Sequence, residues 1–456
     1  EGFLSVSIDM SQLLGGLWWE GSSQIVRGLG TETAAPVDFS DERLISRARL
    51  FSGGMLRIGG TASDKAIYKP DCLSAPEGAN SGLLLSGGAW QAVSNFCEET
   101  GLSLMMTLNC GRDTWNQDGS WDATNALELL RFDSGLSRPT AVWALGNEIN
   151  GYPFVHGIGH FMGARRYCRA CETFSDLVAE THPQARKAGP ASSFWPRIGE
   201  PNPKIGAFLK CVGDRCDVVT WHYYPVHSHR GSFSTRWASP KKLLNPGNLD
   251  ELGRYSRRIG DIQARRAFAG ERWLGELGPA LYGGEPGLSD RYISGLWWLD
   301  ALSAAAKAGE ERVFRQTLFG SEYGLLRSDD YAPNPDYWNC LLWKSLMGSV
   351  VREVEAPGAP PELRLYAHGD PQGHTGTLLA LNVSMSEPAE IDLSDFLRDA
   401  AEASLFLVEA PDPFSRELRV NGVDPSDFQS DILSLGTPLT RDRLRLAPLS
   451  YCFVRG

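Results

Sequence analysis

Residues 141–150, AVWALGNEIN, run from an apolar stretch (Ala141, Val142, Trp143, Ala144, Leu145) through Gly146 to an amide and a carboxylate, Asn147 and Glu148. A second carboxylate, Glu276, follows Trp273 and Leu274 in RWLGELG, residues 272–278. An uninterrupted apolar run is what a strand buried on both faces of a parallel sheet requires. A polar group just past such a strand stands at the mouth of an α/β barrel, where reacting groups collect. Strands four and seven of such a barrel face one another across the mouth, so Glu148 and Glu276 can converge over its centre. Two carboxylates there suit glycoside hydrolysis, and a separation of roughly 5–5.5 Å supports retention through a covalent glycosyl–enzyme intermediate. One must carry a proton for the leaving oxygen, while the other must be ionised to attack the anomeric carbon. Glu148 is assigned as acid/base and Glu276 as nucleophile; the plain alternative is two unrelated rim carboxylates.

The elements needed to place these side chains recur along the chain. Strand-like runs at 3–9, 55–58, 104–108, 142–145, 187–189, 218–221, 273–275 and 313–316 alternate with helical patterns. The helical patterns lie near 40–52, 88–100, 123–133, 159–181, 203–212, 249–268, 290–307 and 337–347. This alternation signals a parallel sheet, and eight of each is the count of a (β/α)8 TIM barrel. Asp9, Gly59-Gly60-Thr61, Asn109, Asn147-Glu148, His222-Tyr223-Tyr224, Glu276 and Gln316 follow these strands and so should share one rim. After about residue 348 the pattern turns to short alternating runs split by turn residues such as Asn421-Gly422. The expected organisation is a catalytic barrel over 1–347 and a C-terminal antiparallel β-sandwich over 348–456.

Composition narrows the class. A net charge of −11 argues against general binding to nucleic acid. No window approaches 18 uninterrupted apolar residues, so no membrane span is expected. The chain opens at EGFLSVSID without an initiator Met, which fits a removed signal peptide or a trimmed chain; a secreted or periplasmic location is expected. Nine cysteines cannot all pair. Cys168 and Cys171 form a C-x-x-C with Cys211 and Cys216 further on, but the first pair falls inside a helical pattern. Buried thiols or one or two disulfides are expected there in place of zinc. His222, His227 and His229 lack nearby carboxylates in sequence, so no metal is assigned to them. The sequon Asn382-Val383-Ser384 falls in a strand and is read as accidental.

Several blocks now acquire a family. LRIGGTASD at 56–64, WALGNEIN at 143–150, VTWHYY at 219–224 and LGELGPALYGGEPGLSD at 274–290 resemble, in order, those of the heparanase family. So do WLDALSAAAKAG at 298–309, RQTLFGSEYGLL at 315–326 and DYWNCLLWKSLMG at 336–348. This is glycoside hydrolase family 79, the retaining endo- and exo-β-glucuronidases, and the chain is similar to its bacterial members. The resemblance implies an endo-β-glucuronidase; two carboxylates and water need no cofactor, and a monomer is expected. Its substrate would be heparan sulfate or a related glucuronate-containing polysaccharide. It also implies roles for individual residues. Asn147 would bond the sugar 2-hydroxyl, and Tyr224, two residues after His222, would donate to the nucleophile. The backbone N–H groups of Gly283 and Gly284, after Tyr282, together with the Tyr323 hydroxyl, would hold the uronate carboxylate. Asp9 and Thr61 would touch other hydroxyls, and His222 and Tyr282 are counted among the substrate-binding residues. The plain alternatives are His222 packed under the rim, Tyr323 in the core and Gly283-Gly284 as a simple turn.

Two departures from the family qualify this. Between Ile58 and Leu104 there is room for a loop and one helix but not for the excised linker of animal heparanases. A single chain active without cleavage is therefore expected. The acidic total also does not announce a basic cleft; rim candidates are Lys65, Lys69, Arg112, Arg197, Lys204, Arg230 and Arg236. The rival functions are an exo-β-glucuronidase, a non-catalytic polysaccharide-binding barrel and a retaining glucosidase.

Overall fold

The computed structural model describes residues 2–23, 29–74, 83–397, 402–428, 431–439 and 441–456. Its centre is a closed parallel barrel whose strands follow one another in chain order. They are β1 (Leu4–Asp9), β2 (Met55–Gly59), β3 (Ser103–Leu108), β4 (Val142–Leu145), β5 (Arg186–Phe194), β6 (Val218–Tyr223), β7 (Glu271–Leu277) and β8 (Arg312–Arg315). The helices between and after them are α1 (Glu42–Ala48), α2 (Gly87–Thr100), α3 (Thr124–Asp133), α4 (Ala164–Thr181), α5 (Ile205–Val212), α6 (Pro246–Arg265), α7 (Tyr292–Lys307) and α8 (Pro335–Leu346).

Side chains on a strand alternate between faces, and here alternate residues divide between two apolar clusters. Leu56, Ile58, Leu104, Met106, Trp143, Val219, Leu274 and Val313 join the large core shared with the helices. Their neighbours Met55, Met105, Val142, Ala144, Val218, Trp273 and Phe314 fill the barrel interior. Further along, the inward positions turn polar: Arg57 on β2 and His222 on β6 are almost wholly buried. The apolar plug below and these polar groups above fix where chemistry can occur.

Two strands differ from expectation at places that matter. β5 runs to Phe194 because GPASS is small and polar, with a proline that weakens any strand signal. β7 continues through Leu277, with its register slipping by one residue at Gly275: Trp221 pairs with Leu274, then His222 with Glu276. Glu276 therefore belongs to the strand, and the slip re-aims it toward the barrel mouth.

The last barrel helix, α8, leads into an antiparallel sheet. Its strands are β9 (Val350–Arg352), β10 (Leu363–Gly369), β11 (Gly376–Asn382), β13 (Ser404–Glu409), β14 (Arg419–Val420) and β16 (Ser450–Arg455), ordered β9-β10-β11-β16-β13-β14. A two-stranded ribbon, β12 (Ala389–Asp392) with β15 (Arg443–Leu446), covers one face through Ile391, Leu446, Leu378 and Val454. The other face packs on the barrel: Leu379, Phe406 and Phe453 belong to the large core, and Tyr451 stacks on Tyr292 of α7 at 5.5 Å. α7 is buried nearly all round because it is sandwiched between barrel and sheet.

Cys168 on α4 is bonded to Cys211 on α5, whereas Cys171 and Cys216 are free and buried. Asn382 is 1% exposed, and its amide donates to three carbonyls, so the sequon is closed in the folded chain. Among the described residues no helix is long and apolar enough to cross a membrane.

Candidate active site

The acid/base candidate sits on a forced turn. Gly146, just past β4, has φ 77° and Glu148 itself has φ 50°, a region that side chains other than glycine rarely occupy. Two bonds hold it there: Glu148 N–H donates to the Ala191 carbonyl (3.0 Å) and Asn147 N–H to Asp64 Oδ2 (3.1 Å). Ala191 is the residue at which β5 slips register against β6. Asp64 also accepts from Cys110 N–H at 3.1 Å, so one buried carboxyl ties together the loops after β2, β3 and β4. Burial pushes the Asp64 carboxyl up to about 7.

Glu276 has both oxygens engaged. Arg57 Nη1 donates to Oε1 at 2.7 Å and the Tyr224 hydroxyl to Oε2 at 2.8 Å. The other Arg57 nitrogen, Nη2, donates to Asn147 Oδ1 at 2.7 Å, so a single guanidinium sets both the nucleophile candidate and its neighbouring amide. His222 lies between the two glutamates, with Nδ1 3.0 Å from Glu148 Oε1 and 3.6 Å from Glu276 Oε2. One atom from each of Glu148, His222 and Glu276 lies within 4.8 Å of the others.

The two carboxyls are driven apart. Burial raises Glu148, and the bond from His222 only partly opposes it. Burial would raise Glu276 too, but His222, Arg57 and Tyr224 outweigh it and hold the carboxyl below its ordinary value. Burial, with Glu276 alongside, keeps the Tyr224 phenol protonated as a donor. Two carboxyls with opposed environments are the mark of an acid and a nucleophile sharing one site.

Both open into a cavity of about 440 Å³, the size of a small-ligand cleft. Asp9, Thr61, Gly283, Gln316 and Tyr323, from the loops after β1, β2, β7 and β8, line it together with Phe154, Trp195 and Phe233, from the loops after β4, β5 and β6. Burial pushes the Asp9 carboxyl up to about 6, against the bonds it accepts from Ser11.

The model for glycosyl hydrolase family 79, N-terminal domain, matches residues 29–303, more than half of the chain. The chain belongs to that family. The hydrolase is 28% identical to heparanase-like protein 1 of Arabidopsis thaliana, over 80% of this chain and 68% of that one. It is 26% identical to baicalin-β-D-glucuronidase of Scutellaria baicalensis, over 93% and 84% respectively. Among solved structures it resembles a 4-O-α-L-rhamnosyl-β-D-glucuronidase from Fusarium oxysporum 12S, with TM-score 0.69, 14% identity and coverage of 99% and 95%. That last likeness is one of fold.

In the hydrolase, Glu148, Glu276, Asn147, Tyr224, Asp9, Thr61, Tyr282, Gly283 and Tyr323 all line the cleft. His222 and Gly284 do not. His222 is 0% exposed and reaches the two glutamates, not the cavity, so it stands beneath Glu148 and away from a bound sugar. The Gly284 N–H donates to the Ala280 carbonyl at 3.1 Å, so the expected pair of amides is reduced to that of Gly283. There φ is +77° and an added Cβ would lie 2.2 Å from Trp19 Cβ. Asn109, expected on the rim, is turned into the loops, donating to Ala66 O and accepting from Gly111 N–H.

His227 and His229 stand apart from the metal-capable trio. His229 is bonded to Glu285 at 2.9 Å, and His227 is buried. Within the trio, the Arg57 guanidinium already occupies a Glu276 oxygen, which opposes a cation there. Three of the seven rim candidates are bonded within the protein. Arg230 donates to the Tyr282 and Gly284 carbonyls (3.1 and 2.9 Å). Arg236 is clamped on Glu251 at 2.8 Å by both nitrogens, and Lys204 is bonded to Asn202. Among the described residues lining the cleft, none is Lys or Arg.

Arg57 and Asp64 escaped the sequence reading, although each left a trace. A charge inside the apolar run MLRIG has to meet a buried partner, and Asp64 closes the block LRIGGTASD. Replacing Arg57 with Met should lower kcat/KM about 10- to 100-fold, the scale of losing charged hydrogen bonds. Without its cation the Glu276 carboxyl rises, so the acid limb of the pH profile should move to higher pH. Asp64 makes a second prediction. Its folded value, about 7, lies above the ordinary 3.8 of an aspartate, so the native state holds the extra proton between them. Stability should therefore fall as pH rises through that window, by about 1.4 kcal/mol for each pH unit at most. Thermal melts at pH 5 and pH 8 should show a smaller difference for Asp64→Asn than for the unaltered protein.

Proposed function

We propose that this hydrolase cleaves β-glucuronides with retention, Glu276 attacking the anomeric carbon while Glu148 first donates and later removes a proton. The observation that carries this reading is the pair itself. Their oxygens approach within 4.8 Å, which fits double displacement better than the wider gap that admits a water. Burial favours protonated Glu148, while His222, Arg57 and Tyr224 outweigh burial at Glu276. The glucuronate would sit on the polar side, its carboxylate against the Gly283 N–H and the Tyr323 hydroxyl, with Asn147 at the 2-hydroxyl and Asp9 and Thr61 beyond. The name of the Scutellaria relative, a glucuronidase, supports this glycone.

The family resemblance extends the reading to internal cutting of heparan sulfate or a related polymer. A second reading, removal of a terminal glucuronate, is favoured by the cleft wall, which offers no Lys or Arg among its described residues to a sulfated chain. Digestion of heparan sulfate and of its unsulfated backbone, followed by sizing, separates the two. A rapid fall in mean chain length supports internal cutting, and monosaccharide release at nearly constant length supports the exo reading. Failure on both polymers and on an aryl β-glucuronide would leave a polysaccharide-binding barrel or a retaining glucosidase.

A further inference from the structure

The wall beside Glu148 is built from three aromatic residues that follow three successive strands: Phe154 after β4, Trp195 after β5 and Phe233 after β6. Phe154 and Phe233 are 59% and 48% exposed, whereas Trp195 is 8% exposed. The rings form one surface. Centroids of Phe154 and Trp195 are 4.7 Å apart and those of Trp195 and Phe233 5.7 Å, while Phe154 and Phe233 lie within 18° of parallel. Isolated exposed apolar residues need no explanation, but a contiguous patch inside a catalytic cavity marks a surface built to be covered.

Position says which part of a substrate covers it. The acid/base group protonates the leaving oxygen and so faces the aglycone. Phe154 stands in the loop that carries Glu148, and both line the cavity. Of the polar groups that suit the glycone, Asp9, Thr61, Gly283 and Tyr323 follow β1, β2, β7 and β8, across the barrel order from β4 and β5, while Asn147 stands beside Glu148.

Chemistry says what kind of aglycone. On the aromatic wall, Ser193 Oγ already accepts from Trp195 Nε1 at 3.2 Å and donates to Asn150 Oδ1 at 3.5 Å, which leaves Ser232 as the serine without those ties. A sugar ring would stack through its C–H face and leave several edge hydroxyls in need of polar partners, of which this wall supplies little beyond Ser232. A flat hydrocarbon ring has none to satisfy and gains from stacking. Cations that would greet sulfate are absent from the described lining. We propose that Phe154, Trp195 and Phe233 form an aglycone subsite for a planar, uncharged aromatic group. This rests on the glucuronidase reading and narrows its substrate class.

The test compares each variant with the unaltered enzyme on three substrates: 2-naphthyl β-glucuronide, methyl β-glucuronide and a glucuronate–N-acetylglucosamine disaccharide. Taking each variant's fall relative to the unaltered enzyme cancels the intrinsic reactivity of the leaving groups. Phe154→Ala and Phe233→Ala should each lower kcat/KM on the naphthyl substrate about tenfold more than on the methyl one. The loss should appear chiefly in KM, and Phe154→Tyr should restore it. Equal falls on all three substrates, or the largest fall on the disaccharide, would overturn the proposal. Titrating tryptophan fluorescence with 2-naphthyl β-glucuronide reads the wall without turnover. Saturable binding weakened about tenfold by Phe154→Ala is expected, and identical titrations would overturn it. If none of the three substrates turns over but this titration succeeds, the glucuronidase reading fails while the subsite stands.

Discussion

Glu276→Gln should abolish turnover, with a loss of about 10⁴-fold or more on every substrate, whatever its leaving group. The amide keeps an oxygen for Arg57 or Tyr224, which now donate to Glu276 at 2.7 and 2.8 Å, but it cannot attack. Because the first chemical step needs the ionised carboxylate, neither a better leaving group nor an added anion should compensate. A fluorosugar glucuronide that forms a stable ester should label the unaltered enzyme at Glu276 and leave this variant unlabelled. Mass spectrometry of the digested protein reads both outcomes. Labelling at another residue would move the nucleophile elsewhere.

Glu148→Ala should behave differently. Its loss removes proton donation, so poor leaving groups should suffer about 10²- to 10⁴-fold, whereas a nitrophenyl glucuronide, whose phenolate leaves unaided, should still form the covalent intermediate. Breakdown of that intermediate also needs Glu148 as base, so the ester should accumulate. Azide, which needs no base, should release it as the β-glucuronyl azide. The pH profile supplies an independent sign. Burial raises the Glu148 carboxyl, so the unaltered enzyme should lose activity as pH climbs and Glu148 ionises. That basic limb should vanish for nitrophenyl substrate in Glu148→Ala. A profile with the limb intact would assign the proton to another group.

Much of this site was visible before any coordinates because its signals are local. Strand four shows as an apolar run that stops at glycine, and the carboxylate beyond it falls at the barrel mouth by topology alone. Strand-like runs alternating with helical patterns placed β1 and β2 in the same barrel. What stayed hidden depends on contacts between segments far apart in sequence. The Arg57–Glu276 bond joins residues separated by 219 positions, and Tyr224–Glu276 by 52; no spacing rule links them. The slip at Gly275 moved Glu276 into β7 because a one-residue register shift leaves no mark in composition. The fifth strand was cut short in the reading since Ala191, Ser192 and Ser193 carry little apolar signal, although Ala191 holds Glu148 in place. Arg230 and Arg236 read as rim cations but are spent on carbonyls and on Glu251. Charge in a sequence announces an ion without naming its partner. Gly283-Gly284 shows the same limit: the pair was legible as a turn open to close approach, but not which amide faces the cleft.

The most direct measurement is the anomer first released. Proton NMR of the hydrolysis of an aryl β-glucuronide, followed from the first seconds before mutarotation, distinguishes the two stereochemical courses. Initial appearance of β-glucuronate, with the α anomer growing only later, is the predicted result for Glu276 attacking and Glu148 serving both steps. Initial α-glucuronate would mean direct displacement by water and would contradict the central claim.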